Sequence, residues 1–160
     1  MSVRPAEPRD LSRIAEILVF GKRTAYRDIF RDDAGSFVGL QVLPLIEEYR
    51  ADDRLLAQTL VYDDGIVRGM LRREETGPED MELWELYVEP AFTGAGFGHR
   101  LMEAFLAECR REGRRRVGLW VLRDNAGARR FYESLGFTPD GREQPVEGAA
   151  VRETRYILTL

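Results

Sequence analysis

Apolar residues recur at intervals of three and four in two stretches of the chain, which is the pattern of a helix that buries one face. The first stretch predicts a helix over residues 10–22, and the second predicts a helix that begins near Gly98 and ends before Gly113. Cys109 lies on the apolar stripe of the second helix, which favours a packing role for it. Further helical segments are predicted over residues 24–49, with interruptions, and over residues 126–135.

Between the helical stretches lie short apolar segments bounded by turn residues, which are typical of strands. Asp63-Asp64-Gly65 is a hairpin signal that joins two of these segments. Residues 139–150 are predicted to form a loop. The predicted strands cover residues 3–6, 55–62, 66–73, 81–88, 117–122 and 151–160. This order of elements predicts an α/β (α+β) protein, in which one domain over residues 1–160 holds a mixed sheet covered by helices.

Composition and charge narrow the class of protein. A net charge of −4 argues against a general nucleic-acid surface, which is expected to be basic. The sequence contains no apolar run of the roughly 18 residues that a membrane span needs, and its first residues lack a signal peptide, so we expect a cytoplasmic protein. The single cysteine, Cys109, cannot form an intrachain disulfide, and together with the single histidine, His99, it makes no zinc cluster. No metal is therefore expected.

A glycine-rich turn, Thr93-Gly94-Ala95-Gly96-Phe97-Gly98, joins the strand over residues 81–88 to the next helix. The unpaired N–H groups and partial positive charge at a helix start attract anions, and glycines let a ligand approach the backbone. The turn therefore predicts a cradle for a pyrophosphate. The alternatives are a plain tight turn and a dinucleotide site, but the third glycine of G-x-G-x-x-G falls on His99. A Walker P-loop has no match.

Two segments of the chain resemble the GNAT acetyltransferase superfamily. Leu86-Tyr87-Val88-Glu89-Pro90 and the glycine turn resemble the family's hydrophobic-x-V-x-P strand end and its Q/R-x-x-G-x-G/A motif, with Thr93 in place of the usual Gln or Arg. Residues 125–137 resemble the family's later block, N-x-x-A-x-x-F/L-Y-x-x-x-G-F. The resemblance implies the GNAT acyl-coenzyme A N-acyltransferase fold, with a central mixed, mostly antiparallel sheet flanked by helices.

The resemblance further implies that acetyl-coenzyme A is the cosubstrate. The oxyanion donor of the family maps to the backbone of Leu86, and the backbone that pairs with the pantetheine maps to Val88. Asn125 lies near the pantetheine in the family and is also a helix cap by position. His99 is first a helix-start residue and second a phosphate neighbour. The predicted coenzyme-binding residues are Leu86, Tyr87, Val88, Thr93, Gly94, Ala95, Gly96, Phe97, Gly98, His99 and Asn125.

Transfer of an acetyl group to an amine needs a proton acceptor, since an alkylammonium has a pKa of roughly 10, and it is helped by an acid that protonates the leaving thiolate. Tyr132 is the predicted acid, because the resemblance implies a tyrosine near the coenzyme sulfur. The base is Glu82, Glu85 or an ordered water. The resemblance favours Glu82, whereas Glu85 lies closer to the strand centre. An ideal strand would place these two carboxylates on opposite faces.

By the same resemblance, residues 24–49, the strand carrying Glu82 and residues 138–151 form the acceptor pocket. The acceptor is an amine of a small molecule or a peptide. A non-catalytic acyl-coenzyme A-binding module is the alternative function, and a dinucleotide-dependent enzyme is a weaker one. No nucleic-acid or membrane partner is expected, and the exposed edges of such a sheet permit a homodimer. The aromatic candidates for the pocket are Tyr26, Phe30, Phe37, Tyr49 and Trp84.

Overall fold

One mixed sheet of seven strands organises the part of the chain that the computed structural model describes, residues 2–160. The strands are β1 (Ser2–Pro5), β2 (Thr59–Asp63), β3 (Val67–Glu75), β4 (Asp80–Val88), β5 (Arg116–Leu122), β6 (Thr138–Pro145) and β7 (Arg152–Thr159). Their spatial order is β1-β2-β3-β4-β5-β7-β6. Every neighbouring pair is antiparallel except β4 and β5. The predicted mixed, mostly antiparallel sheet is confirmed.

Helices cover both faces of this sheet because alternate strand residues point to opposite sides. Val61 and Met70 pack with helix α1 (Leu11–Phe30) on one face, whereas Leu60 and Leu71 pack with helix α4 (Phe97–Arg111) on the other. Cys109 is fully buried in the α4 cluster, so its predicted packing role is confirmed. The helices are α1 (Leu11–Phe30), α2 (Val42–Ala51), α3 (Asp53–Ala57), α4 (Phe97–Arg111) and α5 (Ala126–Ser134). Within residues 2–160, no helix combines the length and apolarity that a membrane crossing requires.

Three boundaries differ from the sequence prediction. Helix α1 continues past residue 22 to Phe30, and Arg31 ends it in the left-handed conformation at φ 52°. Residues 55–57 belong to α3 and not to a strand, because Asp52 caps a short helix there by accepting a hydrogen bond from the Arg54 backbone N–H. Residues 138–145 form a strand and not a loop. All eight of its residues are exposed, so no apolar alternation marked the strand, which is held by its ladder with β7.

The parallel pair β4 and β5 is in register over only three residues, Asp80–Glu82 against Arg116–Gly118. Beyond Glu82 the two strands separate, while β4 stays paired with β3 as far as Val88. A cleft therefore opens in the middle of the sheet, at the carboxyl ends of two parallel strands.

Candidate active site

The separation of β4 and β5 opens a cleft of about 470 Å³ between β4, β5, α1 and α5. A second cavity, of about 340 Å³, lies beside it at the glycine turn. Because the two cavities share lining residues, they form one groove that leads from the glycine turn to α1. The shared residues are Leu86, Val88, Thr93, Ala128 and Tyr132.

The edge of β4 that faces this groove carries backbone groups that the sheet does not use. Glu89 donates its backbone N–H to the carbonyl of Arg68 in β3, at 2.9 Å. The backbone N–H and C=O groups of successive strand residues point to opposite sides. Those of Tyr87 therefore also point toward β3, and those of Leu86 and Val88 point away from it. The ladder with β5 has already ended at Glu82. The backbone N–H and C=O groups of Leu86 and Val88 therefore face the groove.

The glycine turn lies at one end of the groove, directly before α4. Gly94 and Gly96 adopt φ values of 86° and 84°, the left-handed region that favours glycine. A Cβ at Gly98 would lie 3.5 Å from the Phe131 ring, so the helix start and α5 approach closely. Ala95 is exposed and lines neither cavity, unlike its neighbours. The turn residues that line the 340 Å³ cavity are Thr93, Gly94, Gly96, Phe97, Gly98 and His99.

Residues of this turn fit an anionic ligand. The first N–H groups of a helix have no intrahelical partner, and the helix dipole adds partial positive charge beside them. Nothing lies within 4 Å of a Cβ placed on Gly94 or Gly96, so the space beside the turn is open. Phe97 points inward instead, with its ring centroid 4.8 Å from that of Tyr62. The groove can thus hold a pyrophosphate at this end and an extended chain along β4.

Tyr132 lies on α5 and lines both cavities, between the strand edge and the glycine turn. Its ring packs edge-on against Phe131 and Phe137, with centroids 5.4 and 5.8 Å away. Burial, with a smaller contribution from Tyr26, raises the pKa of the Tyr132 phenol well above its ordinary value. The phenol is therefore protonated at neutral pH and can act as a proton donor. Asn125 caps α5 by accepting from the Ala128 backbone N–H at 3.1 Å, and it lines the 470 Å³ cleft.

The two candidate carboxylates lie on the same face of β4, not on opposite faces as an ideal strand predicts. Arg72 of β3 is opposite Glu85, and Arg73 is opposite Leu83, so Trp84 is an extra residue in β4. Such a β-bulge reverses the alternation of the residues beyond it. Glu82 and Glu85 therefore line one side cavity of about 300 Å³ next to the cleft.

Each of these carboxylates is already paired with cations. Glu82 is 6% exposed and binds the guanidinium of Arg155 through both oxygens, with Nη2 to Oε2 at 2.7 Å. Glu85 accepts hydrogen bonds from Lys22 Nζ at 2.9 Å and Arg72 Nε at 3.1 Å. Burial alone would raise the pKa of the Glu85 carboxyl, but these two cations outweigh it and hold the pKa below its ordinary value. The Glu85 carboxyl is therefore ionised at neutral pH.

The predicted aromatic lining is only partly present. Tyr26, Phe30 and Trp84 line the cleft, and the Tyr26 hydroxyl lies 2.5 Å from that of Tyr87. Phe37 is exposed and lines none of the groove cavities, and Tyr49 is buried in the core beside α1.

Sequence reasoning missed Trp120 and Glu153, which line both the cleft and the side cavity. A usable signal existed, because Glu153 and Arg155 alternate with buried Thr154 and Tyr156 along β7. Residues 2–160 hold no group of three or more His, Cys, Asp or Glu side chains arranged for a metal ion.

Comparison with known proteins identifies the family. The model of the acetyltransferase (GNAT) family matches residues 23–137. An uncharacterised N-acetyltransferase of Mycobacterium tuberculosis is 38% identical over 112 residues, which cover 69% of this chain and 70% of that protein.

Solved structures of acetyltransferases have the same fold. The PaiA N-acetyltransferase of Thermoplasma acidophilum, in complex with coenzyme A, has a TM-score of 0.77 and 18% identity over 99% of this chain and 98% of that one. YncA of Salmonella typhimurium, a putative acetyltransferase with acetyl-coenzyme A, has a TM-score of 0.71 and 25% identity. The match covers 99% of this chain and 93% of that one. The family match over most of the chain, on a sheet that opens into this groove, shows that the chain belongs to the GNAT acetyltransferase family and is an acetyl-coenzyme A-dependent N-acetyltransferase.

Proposed function

We propose that this chain transfers the acetyl group of acetyl-coenzyme A to a primary amine of a small molecule or peptide, by direct attack of the amine on the thioester. The observation that carries this proposal is the free edge of β4 at Leu86 and Val88, opposite Tyr132, in a groove that ends at the glycine turn. A strand edge, a proton donor and an anion cradle are the three features that a pantetheine thioester with a pyrophosphate requires.

In this proposal the coenzyme is bound mainly by backbone groups. The N–H groups at the start of α4 hold the pyrophosphate, with Gly94 and Gly96 giving close approach. Val88 pairs with the pantetheine as a neighbouring strand would, and Asn125 lies beside it. Thr93 replaces the usual Gln or Arg of the motif, and backbone binding makes that exchange a mild one. His99 borders the phosphates, and Ala95 contributes only its backbone. In this proposal all the turn residues that the sequence predicted, Thr93 to His99, belong to the coenzyme site.

The reacting end lies where Leu86, Tyr132 and Glu85 meet the cleft. The Leu86 N–H faces the groove and stabilises the negative charge that develops on the thioester oxygen. Tyr132 donates its proton to the departing thiolate, since its raised pKa keeps the phenol protonated. Glu85 is the better-placed base, because it lines the cleft itself, whereas Glu82 lines only the side cavity and is held by Arg155. In this proposal an ordered water carries the proton from the amine to Glu85. The lowered pKa makes this carboxylate a weak base.

Calorimetric titration with acetyl-coenzyme A tests the proposal, with coenzyme A and NADH as controls. We expect micromolar binding of acetyl-coenzyme A and of coenzyme A and none of NADH, followed by thiol release in the presence of primary amines. Binding without turnover of any amine would favour the non-catalytic acyl-coenzyme A module. Folded protein that binds no acetyl-coenzyme A would refute the proposal, and tight NADH binding would favour the dinucleotide enzyme. A cytoplasmic location and a homodimer stay predictions from the sequence.

A further inference from the structure

The side cavity of about 300 Å³ beside the cleft has a charge arrangement that indicates which amines it accepts, an inference that rests on the proposed function. It joins the 470 Å³ cleft through shared walls, so an amine placed in it reaches the reacting end of the groove. The shared lining residues are Tyr26, Leu83, Trp84, Glu85, Tyr87, Trp120 and Glu153.

Three carboxylates line the side cavity, and two of them are neutralised within the protein. Glu82 is bound by Arg155 through both oxygens. Glu85 lies between Lys22 and Arg72, with N–O distances of 2.9 and 3.1 Å. Because these cations are already engaged, they leave little free positive charge for a carboxylate on the acceptor.

Glu153 is the exception. Its Oε1 accepts a hydrogen bond from the Gln144 side-chain amide at 2.5 Å, and within residues 2–160 it forms no ion pair. Gln144 lies opposite it on β6, the strand that the sequence did not predict, and holds one oxygen of the carboxylate in place. A carboxylate that is only partly exposed and forms no ion pair attracts an ammonium group.

Large aromatic side chains line the same cavities as this carboxylate. Trp84, Trp120 and Tyr26 line both the cleft and the side cavity, and Trp84 is 51% exposed. Guanidinium groups of the protein already lie over both indoles, Arg72 over Trp84 at 5.7 Å and Arg155 over Trp120 at 5.4 Å from the ring centroids. The indoles therefore offer apolar area to an aromatic or alkyl body, and Glu153 is left to bind the cation. The walls thus suit an organic cation with an apolar body.

We propose that Glu153 binds the ammonium group of the acceptor, and that the acceptor is an arylalkyl amine without a carboxylate next to its amine. A carboxylate on the carbon that carries the amine would lie close to Glu153, and the nearby cations are held by Glu82 and Glu85. Glu153 is thus a specificity-determining residue of the acetyl transfer.

Three probes of one skeleton test the inference: 2-phenylethylamine, phenylalaninol and phenylalanine. Phenylalaninol keeps the bulk at the carbon that bears the amine but lacks the negative charge, so it separates size from charge. We expect kcat/KM for phenylalanine to be lower than for the other two by about tenfold or more, the value of one charged interaction. Glu153→Gln should reduce kcat/KM for 2-phenylethylamine by about tenfold, mainly through a higher KM. It should also reduce the ratio of kcat/KM for 2-phenylethylamine to kcat/KM for phenylalanine.

Glu143→Gln is the matched control, because Glu143 lies on the exposed strand β6, binds Arg152 and lines neither cavity. We expect it to keep the wild-type kinetics, and both variants to bind acetyl-coenzyme A as the wild type does. Three results would overturn this inference while leaving the proposed function intact. They are equal kcat/KM for phenylalanine and the other probes, unchanged kinetics in Glu153→Gln, and no acetylation of any probe by protein that binds acetyl-coenzyme A. Loss of acetyl-coenzyme A binding in the wild type would instead refute the proposed function and this inference with it.

Discussion

Arg155 of β7 reaches across β5 and donates two hydrogen bonds to the carboxylate of Glu82 on β4. Gly118 of β5 lies between them, and a Cβ on it would overlap the Arg155 guanidinium and come within 3.1 Å of Glu82 Oε2. Glu82 is also the last β4 residue that pairs with β5. The ion pair therefore ties three strands together at the point where the cleft begins.

Removing one partner of this pair should destabilise the fold. Glu82→Gln leaves the guanidinium of Arg155, whose side chain is 15% exposed, without a counter-charge, so we expect the free energy of unfolding to fall by about 3 kcal/mol. Urea denaturation followed by circular dichroism measures the change. Arg116→Ala, which removes an exposed pair with Asp80 in the same part of the sheet, should change stability little. Equal effects of the two substitutions would contradict a structural role for the buried pair.

A side chain at position 118 should act through the same pair. Gly118→Ala keeps both charges but forces Arg155 away from Glu82, because the added methyl group occupies the space of the guanidinium. We expect a loss of about 1–3 kcal/mol, the usual cost of overpacking. A double-mutant cycle with Glu82→Gln checks the mechanism, since the two losses should be less than additive. Full additivity would show that the methyl group acts elsewhere.

The stability of the protein should depend on the ionisation of Glu85 in acid. Its pKa lies below the ordinary value of 4.5, because Lys22 and Arg72 outweigh the effect of burial. Its contribution to stability is therefore complete above about pH 4.5 and is lost as the pH falls through the lower folded-state pKa. Urea denaturation at a series of pH values should show wild type more stable than Glu85→Gln at pH 7, with the difference shrinking in acid. A constant difference would contradict this linkage.

The glycine turn should bind the coenzyme less well when its left-handed backbone is strained. Gly96→Ala places a Cβ at a φ of 84°, at a cost of about 1–2 kcal/mol, and adds bulk to the cavity wall. We expect weaker binding of coenzyme A by calorimetry. Gly65→Ala is the control, since Gly65 has a φ of 102° in the distant β2–β3 hairpin. It should lower stability and leave binding unchanged.

Tyr132→Phe separates chemistry from binding. The ring and its packing against Phe131 and Phe137 stay, while the proton donor is lost. We expect kcat to fall by about a hundredfold, the usual contribution of a general acid, with acetyl-coenzyme A binding unchanged by calorimetry. The raised pKa of Tyr132 further predicts that the phenol does not titrate near neutral pH, so it adds no alkaline limb there to the pH profile of kcat. Unchanged kcat in the variant would mean that Tyr132 only packs the helix.

Much of the groove was predictable from local sequence. The glycine turn, the start of α4 and the capping Asn125 depend on backbone preferences and on residues within a few positions of each other. The apolar stripes of α1 and α4 were equally readable, because burial of one helix face imposes a period of 3.6 residues. Strand β6 escaped prediction because a fully exposed edge strand has no apolar alternation, and its hydrogen bonds come from β7.

The sequence by itself determined the class of fold and the turn that suits a pyrophosphate, since both depend on short-range pattern, and its resemblance to the GNAT family implied Tyr132 as the candidate acid. Only the tertiary structure decided which face each carboxylate occupies and what it contacts. The bulge at Trp84 depends on register with β3, and the partner of Glu82 comes from a strand 73 positions later. Glu153 differs from the other two carboxylates in that, within residues 2–160, it forms a hydrogen bond with Gln144 and no ion pair. Whether a carboxylate is paired with a cation depends on which residues folding brings together, and such residues can be far apart in the sequence.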